Sequence, residues 1–223
     1  MRRAVLTVAA TTVLVAGSGV AAVAQSDQAV TDIVSALPAE LSGLYPNYSG
    51  TVTTAAIPEL KNPAGPWKMC YSESYQGNPW RIALTNEMQR LADEFKAAGK
   101  LSDFKMADAN GDVPTQITQI QSFIDEGCDI IVTVAGSSTG LDEVIGKAAE
   151  AGIPVITNSG AVTAPSAINV DSNWWRWGYD MMDAIGQELG GKGNVVVVEG
   201  IAGSPIVAMQ ADGRNAALAN YPD

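Results

Sequence analysis

The sequence predicts an α/β fold built on a doubly wound parallel sheet, followed by the start of a second α/β unit that is incomplete. Two observations carry this prediction. From residue 67 onward, short apolar runs rich in Val and Ile alternate with amphipathic helical patterns, and a glycine closes each predicted helix before the next strand. Strands separated by helices of this length require right-handed crossovers, which give a parallel sheet with helices on both faces.

Residues 1–24 have the pattern of a signal peptide. A basic start precedes an apolar stretch of small residues, and Ala22-Val23-Ala24 has the small-x-small pattern of a cleavage site. A retained membrane anchor is the alternative, because about twenty apolar residues can span a bilayer. The small side chains and the cleavage pattern favour export by the general secretory route, and no cysteine stands at position 25 to carry a lipid. The sequence therefore predicts a soluble protein in a periplasm.

Residues 25–66 form a predicted N-terminal extension with little periodicity and five prolines. Residues 28–37 match one short helix, and the remainder is predicted to be loop or extended chain. No chemistry is assigned to this extension. The predicted first lobe covers residues 67–171, and residues 172–223 begin the second.

The first lobe is predicted to alternate strands with helices. The strands, in order, are Trp67–Ser72, Phe104–Ala107, Asp129–Val134, Ile153–Thr157 and Ala167–Val170. The first helix runs from Pro79 to Ala98, the second from the Asn110-Gly111-Asp112 turn to Gly127, and the third from the loop Ala135–Gly140 to Gly152. Apolar residues at helical spacing give the first two helices a buried face: Leu84, Met88, Leu91 and Phe95, then Ile117, Ile120 and Ile124.

After Asp171 the pattern restarts with a second unit. A predicted helix from Trp175 to Leu189 is followed by a strand at Val195–Val198 and by a last helix toward Ala219. The inward residues of the first of these helices are Met181, Met182, Ile185 and Leu189. A strand with its helix cannot cover its own apolar surface as a stable domain. Residues 172–223 are therefore expected to be the incomplete start of a second lobe.

Composition removes several classes of function. A net charge of −11 and a pI near 4.3 argue against nucleic acid or anionic lipid as partners, because both would be repelled. The chain has no histidine and only two cysteines, so it lacks the usual general base and the common zinc ligands. No Gly-x-Ser-x-Gly elbow is present to support an α/β hydrolase. We expect no metal, no cofactor and no catalytic residues.

Cys70 and Cys128 are predicted to lie near each other. Cys70 falls in the first strand and Cys128 directly before the third, and an oxidising compartment permits a disulfide between them. Two small buried thiols are the alternative, which the sequence slightly favours, because neighbouring strands bring Cβ atoms to a suitable distance only when the register matches. The sequence leaves the pairing open.

The most informative motif is the segment from Ser74 to Trp80, where the first strand gives way to a helix. In a parallel sheet this position is the carboxyl end of a strand, where ligands bind. The segment combines hydroxyls, amides and aromatic rings. It therefore predicts a receptor for a small polar molecule.

The order of these segments resembles the periplasmic sugar-binding proteins of the ribose-binding type over about residues 67–220. The most specific matches are Gly77–Trp80, Ala151–Thr157 and Glu199–Gly203, each at the family's place and spacing. The resemblance implies a periplasmic binding protein type I lobe, with a sugar or sugar-like ligand held in a cleft between two lobes. It also implies delivery to an ABC permease in the inner membrane by a monomeric protein. A sensory or chemotaxis receptor of the same fold is the alternative.

The resemblance carries candidate ligand-binding residues onto this sequence. The loop after the first strand supplies Ser74, Tyr75, Asn78, Trp80 and Arg81, and later loops supply Ser137, Ser138, Asn158, Ser159, Asp171 and Trp174. The alternative roles are a helix N-cap for Ser138 or Thr139, and core packing and lobe contact for the tryptophans at 174–177. An aromatic face with charged or amide donors suits sugar recognition. Ser159-Gly160 stands where the ribose binder has Asp-Arg, so ribose itself is not expected.

Overall fold

The computed structural model describes residues 32–45, 59–62 and 64–221. The predicted signal peptide and its cleavage site lie outside the described residues. Of the helix predicted at 28–37, residues 32–35 are helical. A second short helix, α1, spans Ala39–Ser42, where the sequence predicts a loop. Among the described residues, no helix has the length and apolarity needed to cross a membrane.

Five parallel strands form one sheet, as predicted. They are β1 (Trp67–Glu73), β2 (Leu101–Asp108), β3 (Ile130–Val134), β4 (Val155–Asn158) and β5 (Ala167–Val170). Their order in the sheet is β2-β1-β3-β4-β5, and each pair of neighbours is parallel. Because β2 lies on one side of β1 and β3 on the other, the direction of winding reverses between β1 and β3. The sheet is therefore doubly wound. The bounds of β5 are those predicted from the sequence.

Three helices connect the strands: α2 (Pro79–Ala97), α3 (Val113–Asp125) and α4 (Asp142–Glu150). Local sequence explains where α2 and α3 begin. The side-chain oxygens of Asn78 and Asp112 accept a backbone N–H of the first turn at 3.0 and 2.8 Å, and a proline occupies each first turn. The chain leaves α3 at Gly127, whose φ of +72° is a left-handed conformation that glycine adopts without strain.

The sheet is covered on both faces. Successive strand residues point to opposite faces, so Cys70 and Ile131 join a core with α3 and α4, whereas Tyr71 faces α2. The first core is the larger, and its fully buried large side chains include Ile120, Phe123, Ile131, Leu141, Ile145 and Ile153. Burial on both faces explains why β3 is a continuous apolar run.

The last turn of α2 departs from the predicted buried face. Leu84 and Met88 pack against the core as expected, but Phe95 is 42% exposed. The Nζ of Lys100 lies 5.6 Å from the centroid of its ring. Because α2 ends beside the point where β2 begins, less of the sheet lies beneath its last turn. The prediction that Phe95 belongs to the core is therefore wrong.

Cys70 and Cys128 form a disulfide, with their Cα atoms 6.1 Å apart. In the parallel pairing of β1 with β3, Cys70 lies opposite Ile131. Cys128 comes shortly before β3, so it lies beside the same part of β1, and both cysteines are fully buried. The favoured expectation of two buried thiols is therefore wrong, because the register brings the two residues together.

After β5 the described chain contains two helices, α5 (Trp174–Glu188) and α6 (Pro205–Leu218). Glycines allow them to pack at close range. A Cβ atom at Gly178 would lie 2.1 Å from the carbonyl oxygen of Gln210. A Cβ atom at Gly213 would lie 1.9 Å from the carbonyl oxygen of Trp175. Each helix therefore needs a glycine where it meets the backbone of the other.

Residues 195–198, predicted as a strand, are not one. Val196 and Val198 are 89% and 92% exposed, and none of the described strands pairs with this segment. An apolar run becomes a strand only beside a partner, which local sequence does not supply. Met181 of α5 and Leu189, which directly follows α5, border the same apolar surface and are 47% and 46% exposed. The prediction that both face inward is therefore wrong within the described residues.

Removing the disulfide should lower the stability of the fold. The double substitution of Cys70→Ala with Cys128→Ala opens a cross-link between residues 58 positions apart, which the chain-entropy model values at about 4 kcal/mol. The free energy of unfolding, measured in urea, should fall by roughly that amount. Without reductant, the unfolded unmodified protein should show no reactive thiol. Titration of free thiols in that protein would contradict the bridge.

Gly213→Ala should weaken the packing of α6 on α5. The added Cβ meets backbone atoms that cannot move aside, so we expect a loss of about 1–3 kcal/mol. Gly146→Ala in α4 is the matched control, because no atom lies within 4 Å of its added Cβ. That change should stabilise the protein by about 0.5–1 kcal/mol. Thermal denaturation distinguishes the two, and shifts in the same direction would contradict the close approach.

Candidate functional site

The loops that carry the candidate residues gather at one edge of the sheet. Glu73, the last residue of β1, lies opposite Asp108 of β2 and Val134 of β3. At the other side of the sheet, Asn158 of β4 lies opposite Val170 of β5. Because the strands are parallel and end in register, the loops that follow them open on the same side. This edge includes the switch point between β1 and β3, where ligands bind in α/β sheets.

Glu73 is a fully buried acid at this edge that the sequence does not predict as a site residue. Its Oε2 accepts a hydrogen bond from the Tyr71 hydroxyl at 2.5 Å, and its Oε1 pairs with the Nη1 of Arg81. Burial, together with the charge on Glu73, raises the pKa of Tyr71 well above its usual range, so Tyr71 remains a donor. The sequence signal that could predict this ion pair is an acidic residue at the end of the first strand, eight positions before an arginine.

Trp80 and Arg81 place an exposed aromatic ring beside a cation. The Nη1 of Arg81 also donates to the Ser74 hydroxyl at 2.9 Å. The Cζ of Arg81 lies 5.7 Å from the centroid of the Trp80 ring. Trp80 is 50% exposed, whereas the Arg81 side chain is only 11% exposed. The edge therefore offers an open aromatic face next to a guanidinium that a buried acid holds in place.

Other candidates of the first loop shape the backbone. The Oδ1 of Asn78 accepts the N–H of Arg81 and so caps α2. The cap uses only the oxygen, so the predicted ligand role of Asn78 rests on its Nδ2. The ring of Tyr75 lies over Gly77, where a Cβ atom would be 1.7 Å from the Tyr75 hydroxyl oxygen. Gly77 thus lets the loop turn tightly beneath Tyr75.

The start of the loop after β3 is fixed by Gln116, a fully buried side chain of α3. Its Nε2 donates to the carbonyl oxygen of Val134 at 2.9 Å and to the Thr133 hydroxyl at 3.1 Å. Its Oε1 accepts the N–H of Gly136 at 2.9 Å. Sequence reasoning misses Gln116 because a glutamine on a helix usually faces solvent.

Ser137 and Ser138 follow this fixed turn. The Ser137 hydroxyl accepts the N–H of Gly140 at 3.0 Å, and the carbonyl oxygen of Ser138 accepts the N–H of Thr163 at 2.8 Å. Because α4 begins only at Asp142 and has no side-chain cap, the alternative role of Ser138 as an N-cap is wrong. Ser137 and Ser138 lie at the carboxyl edge of the sheet, where ligand contact is possible, and their ligand role stays a prediction.

Asn169 of β5 fixes the loop after β4. Its Oδ1 accepts hydrogen bonds from the Thr157 hydroxyl at 2.7 Å and from the N–H of Val162 at 3.0 Å. This loop begins with Ser159, which is buried and has a φ of +62°. A left-handed conformation is costly for a residue other than glycine and persists where the surroundings impose it, often at functional sites. Asn158 stands half-buried directly before it.

Asp171 and Trp174 are joined where the chain passes from β5 to α5. The Nε1 of Trp174 donates to the Oδ1 of Asp171 at 2.6 Å. Backbone N–H groups of Ser172 and Ala161 donate to the same carboxylate at 2.8 and 3.1 Å. Burial raises the pKa of Asp171 above its usual range despite these donors. The structure therefore joins two candidates that the sequence names separately.

The N-terminal extension reaches the start of α5. The rings of Tyr45 and Trp175 are stacked, with centroids 6.5 Å apart. The carbonyl oxygen of Gly43 accepts a hydrogen bond from the Nη1 of Arg176 at 3.3 Å. Since Trp175 is only 1% exposed, core packing is the correct interpretation for this tryptophan.

An apolar groove lies along α5. It runs between α5 and the exposed valines, and its lining includes Trp177, Met181, Ile185, Val196 and Val198. None of the candidate residues contributes to it. Trp177, which is 50% exposed, therefore faces this groove, and its ring meets the ring of Trp174 edge-on with the centroids 6.5 Å apart.

Comparison with known proteins identifies the family. The family model described as a periplasmic binding protein domain matches residues 71–223. The chain belongs to this family. A curated relative of this periplasmic binding protein, the xylitol-binding protein of Mycolicibacterium smegmatis, is 34% identical over 116 residues, which are 52% of this chain and 33% of that protein.

Solved structures share the fold of this periplasmic binding protein. An ABC transporter solute binding protein from Thermobispora bispora is 29% identical with a TM-score of 0.64, and the match covers 70% of this chain and 49% of that one. Another, from Mycobacterium smegmatis with bound glycerol, is 28% identical with a TM-score of 0.60, covering 71% and 54%. The sheet is thus a type I lobe. These relatives are solute-binding proteins and not enzymes, and the chain spans a third to about half of their lengths.

Gln116→Leu should destabilise this periplasmic binding protein and loosen the loop after β3. The change leaves the buried backbone groups of Val134 and Gly136 without their partner, which costs about 2–4 kcal/mol. The matched control is Gln121→Leu, also on α3, whose half-buried side-chain amide donates to Asp125 one turn later. That change should stay within about 0.5 kcal/mol. Unfolding curves and hydrogen exchange of the Gly136 amide measure the difference, and unchanged protection of that amide would contradict the role of Gln116.

Proposed function

We propose that this protein is the substrate-binding protein of an ABC importer and that it binds a sugar alcohol or a sugar at the carboxyl edge of the sheet. One observation carries the proposal: the open ring of Trp80 stands beside the guanidinium of Arg81, which Glu73 holds in place. The C–H face of a sugar or polyol packs on an aromatic ring, while its hydroxyls accept hydrogen bonds from a guanidinium.

Uncharged polar groups complete the proposed site. Ser137 follows β3, Asn158 ends β4 and Ser159 comes directly after it, all at the same edge. Ser159-Gly160 in place of the Asp-Arg pair of ribose binders leaves fewer charges to grip a ring sugar. Two relatives support a polyol as the ligand, since one is named a xylitol-binding protein and the other was solved with bound glycerol.

A second lobe is proposed to complete the ligand cleft. Residues 67–171 would form the first lobe and residues 172–223 the start of the second. The exposed residues of the apolar groove, above all Val196 and Val198, support this division, because an apolar strand-forming run needs a sheet to join. Closure of two lobes over the ligand would then bury the Trp80 ring and signal the loaded state to a permease.

The proposed location is the periplasm. The pattern of residues 1–24 supports export through a cleaved signal peptide, and the family description agrees with a place outside the cytoplasm. The sensory alternative is not favoured, because the relative of 29% identity is described as an ABC transporter protein.

Binding of polyols to the full-length protein tests this proposal. Xylitol, arabinitol or a related polyol should raise the thermal midpoint, since a ligand that binds only the folded state stabilises it. Trp80→Ala should weaken that binding roughly 10-fold or more, because the apolar face of the ligand loses its ring. The matched control is Phe95→Ala, a similarly exposed aromatic at the other end of α2.

Isothermal titration calorimetry gives the affinities of the three proteins. A wild-type protein that binds no polyol or sugar would overturn the proposed function. Equal affinities of the Trp80→Ala and Phe95→Ala variants would show that the ligand does not bind at the loop after β1.

A further inference from the structure

We infer that Glu73 is a positioning and specificity-determining residue: it fixes the guanidinium of Arg81 and cancels its charge, so that the site prefers neutral polyols to sugar acids. The inference rests on the proposed function, since it concerns the same site. Glu73 is fully buried, whereas the Arg81 side chain keeps 11% of its surface exposed. Glu73 therefore acts on the ligand through Arg81.

The carboxylate of Glu73 is held by donors on both oxygens. Tyr71 donates to Oε2 at 2.5 Å. Oε1 receives the Nη1 of Arg81, the N–H of Tyr75 at 3.3 Å and the Ser74 hydroxyl at 3.4 Å. An ionised carboxylate only accepts hydrogen bonds, so this set of donors matches the charged form. The orientation of the carboxylate is thus determined before any ligand arrives.

A fixed carboxylate also fixes the donors of Arg81. The guanidinium is planar and rigid, so holding Nη1 between Glu73 and the Ser74 hydroxyl sets the plane of the whole group. The same group lies 5.7 Å from the centroid of the Trp80 ring. The remaining donors of Arg81 therefore keep a constant position relative to the aromatic face on which a polyol would pack.

Stability alone does not explain a buried acid at this position. Replacing a buried ion pair by apolar side chains of similar volume is often neutral or stabilising. The neighbours of Glu73 in the sheet and core include apolar residues such as Val134, so an apolar side chain would suit the strand. A buried acid that forms an ion pair with one cation at a ligand-binding edge suits a residue that positions that cation.

The charge of Glu73 bears on which ligands the site accepts. Arg81 is the cation among the candidate residues, and Glu73 compensates it directly. Asp171 adds a carboxylate at the same edge. A sugar acid would meet no uncompensated positive charge there, whereas the hydroxyls of a neutral polyol need only donors and acceptors.

The test compares xylitol with xylonate, its acid counterpart, by titration calorimetry on the full-length protein. Glu73→Gln keeps the volume but removes the charge, so the affinity for xylitol should fall roughly 10- to 100-fold. The affinity for xylonate should fall less, which shifts the preference toward the acid roughly 10-fold. In an Arg81→Ala background, Glu73→Gln should change either affinity less than about 2-fold. An unchanged preference, or an equal loss in both backgrounds, would overturn the inference.

The matched control is Glu94→Gln, which removes the same charge from an exposed ion pair with Arg90 on α2. It should leave both affinities unchanged. A ligand-free measurement separates this inference from the proposed function. The side-chain N–H signals of Arg81 in NMR spectra should exchange slowly with water in the wild type and rapidly in Glu73→Gln. If the wild type binds no polyol, the proposed function fails. Slow exchange of the Arg81 side-chain N–H protons in Glu73→Gln would refute the role of Glu73 whether or not a polyol binds.

Discussion

The parallel register of β1 with both of its neighbours is the constraint on which the rest of the structure depends. The pairing places the last residue of β1, Glu73, level with Asp108 on one side and Val134 on the other. Every loop after a strand therefore opens at one edge, and every helix must return the chain along a face of the sheet. Both faces are buried as a result, and the loops at the carboxyl edge carry polar groups that a ligand can reach.

Buried polar side chains then hold the loops of that edge. Glu73 holds the first loop through Arg81, Gln116 holds the third, and Asn169 holds the fourth. Each makes several hydrogen bonds, because a buried polar group without partners would cost more than the loop gains. A ligand site built on such loops loses little conformational freedom on binding, which favours affinity.

Much of the fold could be predicted from the sequence because its signals are local. Glycine ends α3, Asn78 and Asp112 begin helices, and the bounds of β5 match the prediction. The failures concern contacts that local patterns do not contain. Val195–Val198 has the composition of a strand but lacks a partner among the described residues, and the Cys70–Cys128 bridge depends on a register that spacing alone does not give.

The sequence predicts where the candidate site lies in the fold, but it does not predict the hydrogen bonds that hold the residues of the site. The carboxyl ends of the strands follow from the fold class, so Trp80 and Asp171 could be placed near a ligand site before the structure. The roles of Glu73 and Gln116 depend on partners eight and twenty positions away, whose approach only the folded chain determines.

The N-terminal extension also contacts residues that lie far away in the sequence, and this affects the order in which the protein can be assembled. Residues Gly43 and Leu44 bond to Arg176 and Asn173, which lie 133 and 129 positions later. At ordinary translation rates those partners are synthesised on the order of 10 s after the extension, so the segment made first among the described residues docks only after residues 173–176 have been made.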